Sequence, residues 1–361
     1  MQLKQFYGSI AFTVVCLALG ALYGYSSGGT AAAALAALWI CVILGILETS
    51  LSFDNAVVNA SVLKDMDPKW QQRFLTWGII IAVFGMRVVF PIAIVAIAGK
   101  LGPIEAIRLS LSEPEQYAAI VSGAHTGIMG FGGAFLMLVG LKFFFDSDKE
   151  HHWIAIFERP LQKFADLTAI EIMITLGLLY GVSTQLPGPD AYTFLTSGVF
   201  GIATYFAVDW VGDALDAPDE TVAGVQRAGL GAFLYLEVLD ASFSFDGVIG
   251  AFALSNNLII IALGLGIGAM FVRSMTIALV KGGTLSEFRY LEHGAFWAIL
   301  ALALIMMSSV IVHIPETVTG LIGAVLIGWA LWSSIQHNRK SPPDTAVETP
   351  VDTTVTSTPL R

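Results

Sequence analysis

Hydrophobic residues dominate this chain in long blocks, and short polar stretches separate the blocks. Ten apolar runs can be marked, at 6–25, 31–63, 74–99, 118–145, 168–186, 191–211, 227–254, 257–281, 291–313 and 316–335. Most reach the roughly 20 residues that a helix needs to cross the hydrocarbon of a bilayer. The fifth and sixth are the least regular. The fifth carries Glu171 and ends at Gln185-Leu-Pro-Gly-Pro189, and the sixth runs into Asp209, Asp213, Asp216, Asp219 and Glu220. These two either cross the membrane or form one helical hairpin that dips into it, and in both cases the sidedness of the later runs is unchanged. The pattern predicts an all-α polytopic membrane protein of eight to ten transmembrane helices.

Composition agrees: 56% of the 361 residues are hydrophobic and only 13% are charged, which sets the chain apart from soluble domains of this length. Its two cysteines, Cys16 and Cys41, lie inside apolar runs and suggest neither a disulfide framework nor a thiolate metal site. Nothing points to a nucleic-acid partner. The glycine series Gly264-Leu-Gly266-Ile-Gly268 lacks the preceding strand that a nucleotide loop requires, and together with Gly123, Gly127, Gly130, Gly132 and Gly133 it predicts close helix packing.

The basic residues sort the loops into two sides. Lys64, Lys69, Arg73, Lys142, Lys149, Arg159, Lys163, Arg227, Lys281, Arg289, Arg339 and Lys340 fall on the side of the N-terminus, with Lys100 and Arg108 opposite. The positive-inside rule then predicts that both termini are cytoplasmic. The first run is read as an uncleaved helix, a cleaved signal peptide being the alternative. The predicted organisation is a first transmembrane helix (1–30), a three-helix unit (31–145), a cytoplasmic loop with two weaker spans (146–226), a second three-helix unit (227–313), a last helix (314–336) and a disordered cytoplasmic tail (337–361). Within the loop, residues 146–166 are predicted to form an amphipathic helix rather than a span.

Two of the apolar runs carry the same acidic phrase. Glu48-Thr-Ser-Leu-Ser-Phe-Asp54-Asn55 superposes on Asp240-Ala-Ser-Phe-Ser-Phe-Asp246-Gly247, with Glu237 just upstream of the second copy. Carboxylates inside hydrocarbon cost a few kcal/mol each on insertion scales, about 3 kcal/mol for an Asp, and they mark ion or proton pathways by default. The similarity extends outward: Gly85-Met-Arg87 matches Met270-Phe-Val-Arg273, and His125-Thr-Gly127 loosely matches His293-Gly294-Ala295. Runs two to four and seven to nine therefore read as one three-helix unit used twice. Five crossings separate equivalent helices, so the repeat is inverted, as in secondary transporters whose site lies at the repeat interface.

On a straight helix Glu48 and Asp54 point about 120° apart. Glu48 shares a face with Ser52, and Asp240 with Ser244, at i and i+4. The turn-type dipeptides Asp54-Asn55 and Asp246-Gly247 predict a break in each helix, which would bring the aspartates back to the site. The expected shell is Glu48, Asp54, Asp240 and Asp246, with Asn55, Glu237, Ser52 and Ser244 as helpers. Such an all-oxygen set suits hard divalent ions, Mn²⁺, Ca²⁺ or Mg²⁺, carried as substrate rather than held as a permanent cofactor. Clustered carboxylates can also return protons, the simplest route to cation/proton exchange. Arg87, Arg273 and His125 are the candidates for charge compensation or proton relay, with snorkelling an alternative for Arg273. Asp209, Asp213 and Asp216, at i, i+4 and i+7, read as a solvated helix end.

The phrase Glu48-x-x-Leu51-x-x-Asp54-Asn55 and its partner Asp240-x-x-Phe243-x-x-Asp246 resemble the paired motifs of TerC-type integral membrane proteins, a branch of the LysE-like exporters. The likeness covers roughly runs two to nine. It implies a bacterial plasma-membrane exporter of Mn²⁺ with its site at Glu48, Asp54, Asp240 and Asp246. Gly247 departs from the Ser expected there, and Glu237 is an additional acid. Rival readings are an exporter of an amino acid or other small solute, for which Arg87 would meet the carboxylate, an intramembrane hydrolase, whose motifs are missing, and a passive scaffold. Oligomeric state is left open.

Overall fold

Why the chain bends where it does is set by a few residues at helix ends. The computed structural model describes residues 3–147, 149, 151–164, 167, 169–215, 229–312 and 314–340, excluding the side chains of Ile79, residues 212–215, Phe245, Asp246, Ile249, Ala253, Ser286, Glu316, Thr317 and Lys340. The tail beyond Lys340, the acids Asp216, Asp219 and Glu220, and the side chains of Asp213 and Asp246 thus lie outside the described residues. Among those described, all regular structure is helical. Helices α1 (Tyr7–Gly28) and α2 (Ala31–Leu51) form a hairpin. Gly29 turns it in the left-handed region (φ 64°), and the Thr30 hydroxyl caps α2 by accepting the Ala33 N–H. After a kink at Ser52 come α3 (Phe53–Leu63), α4 (Pro68–Ile80), a π-helical stretch (Ile81–Val89) and α5 (Phe90–Ala98). The π stretch has a local cause. Pro91 has no N–H and its ring crowds the carbonyl four residues back, and the neighbouring Phe90 N–H reaches Gly85, five residues back.

Two short helices, α6 (Pro103–Ser112) and α7 (Pro114–Gly123), fill the stretch before α8 (His125–Phe144). The fourth run is therefore interrupted at Ala124, and His125 begins a helix instead of lying seven residues inside one. The loop helix α9 (Ala155–Gln162) is followed by α10 (Ile170–Ser183), α11 (Gly188–Leu215), α12 (Leu230–Leu254), α13 (Leu258–Lys281), a single turn α14 (Thr284–Glu287), α15 (Leu291–Ser309) and α16 (Glu316–Lys340).

Among the described residues, eight helices are long and apolar enough to cross a membrane, so this is a multi-pass membrane protein. Helix α12 is long enough but holds Glu237, Asp240 and Asp246. Helix α10, at 14 residues, covers only about 21 Å of a roughly 30 Å core, whereas its partner α11 is of full length.

The two three-helix units pack as an inverted repeat. Gly247 of α12 lies against Glu48 at the end of α2, while Asp240 is reached from Asn55 and Asn59 of α3, so α2–α3 and α12 run antiparallel. Gly266 faces Val83 and Arg273 faces Gly78, which makes α13 antiparallel to α4 and the π stretch. Gly132 meets Met306, and Phe143 stacks on Phe296 with 3.8 Å between ring centroids, so α8 and α15 are antiparallel too. Each helix thus lies against its own repeat equivalent in reverse direction, which is what a twofold axis in the membrane plane requires.

The predicted loop helix is present and is latched by a residue that no motif marked. Glu158 is buried and accepts the backbone N–H groups of Trp153 and Ile154 at 3.0 and 3.1 Å and the Trp297 indole at 3.0 Å. Beside it, the Lys149 ammonium lies on the Phe143 ring. Burial pushes it down to about 7, against the upward pull of Glu158, Glu292 and Asp146.

Two outcomes follow from this packing. A Cβ at Gly130 would stand 2.5 Å from the Phe194 carbonyl oxygen, so Gly130→Val should force α8 and α11 apart and cost about 1–3 kcal/mol in thermal unfolding. For Lys149, the folded state binds fewer protons than the unfolded state between its lowered value and the ordinary one near 10.5. Stability should therefore rise with pH across that window, and Lys149→Met should flatten the rise in Tm measured from pH 7 to 9.

Candidate functional site

The acidic phrases do come together, although in two separate groups. The first forms around the kink at Ser52. Glu48 is buried at the end of α2, and its Oε1 accepts the Ser52 hydroxyl at 3.2 Å and forms an ion pair with Arg87. Arg87 comes from the π stretch, and its other terminal nitrogen donates to the Ala82 carbonyl at 2.7 Å. Helix α13 can approach only because Gly268 leaves room for the Glu48 side chain. Asp54, in the first turn of α3, is buried and accepts the Asn55 N–H at 2.9 Å. Glu48, Ser52 and Asp54, with Leu51, Phe243, Gly247, Leu302, Thr319 and Gly320, line a cavity of about 40 Å³. A space of that size holds one cation or a few waters.

Helix α16 supplies one wall. Gly320 packs on Leu51, and at Gly323 a Cβ would stand 3.0 Å from an Asp54 carboxylate oxygen. Across the cavity Gly247 leaves free the space in front of Glu48 Oε2, where a Cβ would already be 2.8 Å away.

The second group forms around Asp240, whose Oδ1 accepts the side-chain amides of Asn55 at 2.7 Å and Asn59 at 2.9 Å. Asn59 was not singled out from the sequence, although its position one turn after Asn55 on the same face was visible there. Glu237 and Arg273 meet at Gly78, where a Cβ would be 2.9 Å from one and 3.0 Å from the other. The Arg273 guanidinium lies over the Phe74 ring at 4.0 Å and is buried, so it does not snorkel. Ser244 is buried one turn beyond Asp240.

Two expectations are corrected. The first helix does not break at Asp54-Asn55 but kinks two residues earlier, at Ser52. The second does not break at all, since α12 continues through Asp246-Gly247. A kink at Ser52 suffices to turn Asp54 toward Glu48, and Gly247 serves close approach instead of helix breaking. His125 begins α8 beside the contact of Gly127 with Ser197 of α11 and is not among the residues that line the cavity. Among the described residues no three His, Cys, Asp or Glu side chains converge to hold a metal ion. The Asp246 carboxylate, one of the four acids of the expected shell, is outside them.

A much wider cavity, about 830 Å³, opens at the other end of α3. Lys64, Asp65, Lys142, Asp146, Glu171, Asp209 and Glu292 contribute its charges, and Lys64–Glu292 and Lys142–Asp209 are ion-paired across it at 2.7 and 3.4 Å. Its lining includes Ser61, two residues beyond Asn59, and Tyr235, just short of Glu237. Glu48, Asp54, Glu237 and Asp240 do not line this wide vestibule.

A family model described as a protein of unknown function, DUF475, matches residues 53–341. The chain belongs to the DUF475 family. No curated protein and no solved structure matches it. The DUF475 match contains Asp54, Asn55, Asn59, Arg87, Glu237, Asp240 and Arg273, while Glu48 and Ser52 precede it.

The Glu48–Arg87 pair makes a specific energetic claim. Removing one partner strands a buried charge and should cost about 3–5 kcal/mol, whereas replacing both with apolar residues should restore most of that loss. Thermal unfolding of Arg87→Leu, Glu48→Leu and the double variant is expected to show this non-additivity.

Proposed function

We propose that this protein carries a divalent metal cation across a bacterial plasma membrane, with Mn²⁺ the first candidate and Ca²⁺ the second. The observation that carries the reading is the cavity at the Ser52 kink, in which two buried carboxylates and a hydroxyl face a space of about 40 Å³. Oxygen donors in this setting suit hard cations, and the low dielectric around them strengthens the attraction. Arg87 offsets one of the two charges, so the Glu48 carboxylate is not left alone between transport events. The inverted repeat supports an alternating-access carrier, because two related packings of the same units can expose a central site to either side. The vestibule at Lys64 and Glu292 is the entrance from the side that the positive-inside rule assigns to the cytoplasm. The likeness of the paired acidic phrases to TerC-type proteins supports export as the direction and Mn²⁺ as the cargo. An amino-acid substrate is less well supported, since the guanidinium that would meet its carboxylate is already paired with Glu48.

Mn²⁺ and Ca²⁺ flux into proteoliposomes tests the proposal. Asp54→Asn and Glu48→Gln should each lower flux by about tenfold or more, as expected when a hard-cation site loses one ligand charge. Undiminished flux in both variants would rule out the cavity as the site.

A further inference from the structure

The group around Asp240 has an unusual property: several of its buried oxygens, and the Nε and one terminal nitrogen of Arg273, lack a hydrogen-bond partner. Among the described residues, seven buried side-chain oxygen atoms lack a hydrogen-bond partner, and five of them belong to Asn55, Asn59, Glu237 (both oxygens) and Ser244. All four side chains are more than nine-tenths buried. Asn55 and Asn59 share one face of α3, at i and i+4. Glu237, Asp240 and Ser244 follow one another along the facing side of α12, at i, i+3 and i+7. Buried polar atoms are satisfied in the large majority of cases, and a cluster of exceptions calls for a ligand.

We propose that these residues form a second cation position, distinct from the Glu48–Asp54 cavity, that takes a monovalent ion of the Na⁺ class. The two amide groups donate to Asp240, which orients them and leaves their carbonyl oxygens as neutral ligands. The Ser244 hydroxyl adds a third neutral oxygen, and Glu237 adds a carboxylate. A proton would satisfy one of these acceptors, or two if shared, whereas a coordinated metal cation satisfies five or six at once. With both carboxylates ionised by the bound cation, Glu237 and Asp240, set against the guanidinium of Arg273, leave one negative charge, which a monovalent ion balances.

The repeat shows that this position is not simply the twin of the first. Gly45 and Ala251 occupy the places that correspond to Glu237 and Asn59, so the extra acid and the extra amide exist only in the Asp240 group. Two positions of different charge and ligand type on one pair of antiparallel helices are what exchange of a divalent ion for a monovalent one needs. The role as coupling ion rests on the transport reading above, while the binding itself does not.

The test is thermal unfolding of the purified full chain in detergent, with NaCl replacing choline chloride at constant ionic strength, and separately with MnCl₂. The wild type should gain Tm from Na⁺ over choline in a saturable way. Asn59→Ala and Ser244→Ala should raise the Na⁺ midpoint by tenfold or more, and a variant that does not fold is judged from the other. Asp54→Asn should keep the Na⁺ response and lose the Mn²⁺ response. If Arg273 and water alone satisfy these oxygens, NaCl and choline chloride will give the same Tm for the wild type, and the proposal fails. It fails equally if the folded variants keep the wild-type midpoint. A Mn²⁺ response without a Na⁺ response overturns this position alone, and a Na⁺ response without a Mn²⁺ response overturns the divalent reading alone.

Discussion

The Glu48–Arg87 ion pair is the constraint to which the surrounding structure is fitted. Two charges among helices of bilayer length are tolerable only if each meets the other and the remaining donors and acceptors are occupied. That requirement reaches several elements. Ser52 must turn its hydroxyl back to Glu48, α13 must present Gly268, and the unit's second helix must carry Arg87 on the correct side. The π stretch does the last of these. Within it, the guanidinium that pairs with Glu48 also donates to the Ala82 carbonyl. A proline, a glycine and a serine thus cooperate around one buried pair, and none of them would be needed on a plain apolar span.

The inverted repeat then makes two sites from one plan and differentiates them. At equivalent places Asn55 lies against Asp240 and Gly247 lies against Glu48. Where the side chain is an amide, the space is filled by a hydrogen bond. Where it is a single hydrogen atom, the space remains as part of a cavity. One substitution between the two copies of a phrase therefore separates a packed polar cluster from an open one. The antiparallel arrangement guarantees that each copy faces the other's partner rather than its own.

Much of this was legible in the sequence because membrane helices write large signals. Span lengths, the acidic phrases and the matching arginines all come from the cost of polar groups in hydrocarbon, which is high enough to leave few alternatives. The errors lie where that cost does not decide. Asp54-Asn55 and Asp246-Gly247 resemble turns, yet a helix in apolar surroundings keeps its backbone bonds unless something takes their place, so α12 continues through its phrase and the first phrase is interrupted at Ser52 instead. The four-acid shell relied on a break in both helices; of its described members, Glu48 pairs with Arg87 beside Asp54, while Asp240 holds the amides of Asn55 and Asn59. Glu158 and Asn59 could not be ranked from the sequence, since a loop glutamate and an asparagine within a span become informative only once their neighbours are known. Two short helices before α8 were missed because Pro103 and Pro114 mark turns as readily as helix starts.

Helix α16 stands outside the repeat, yet its glycines at 320 and 323 bring its backbone against Leu51 and Asp54. A carrier made only of two identical inverted units would have access states related by its own symmetry axis, and these would be equal in energy. An added wall on one half removes that degeneracy. If the proposed transport is right, the free-energy difference between the two states, and with it the resting orientation, is then a property of a helix that supplies no charged ligand at all.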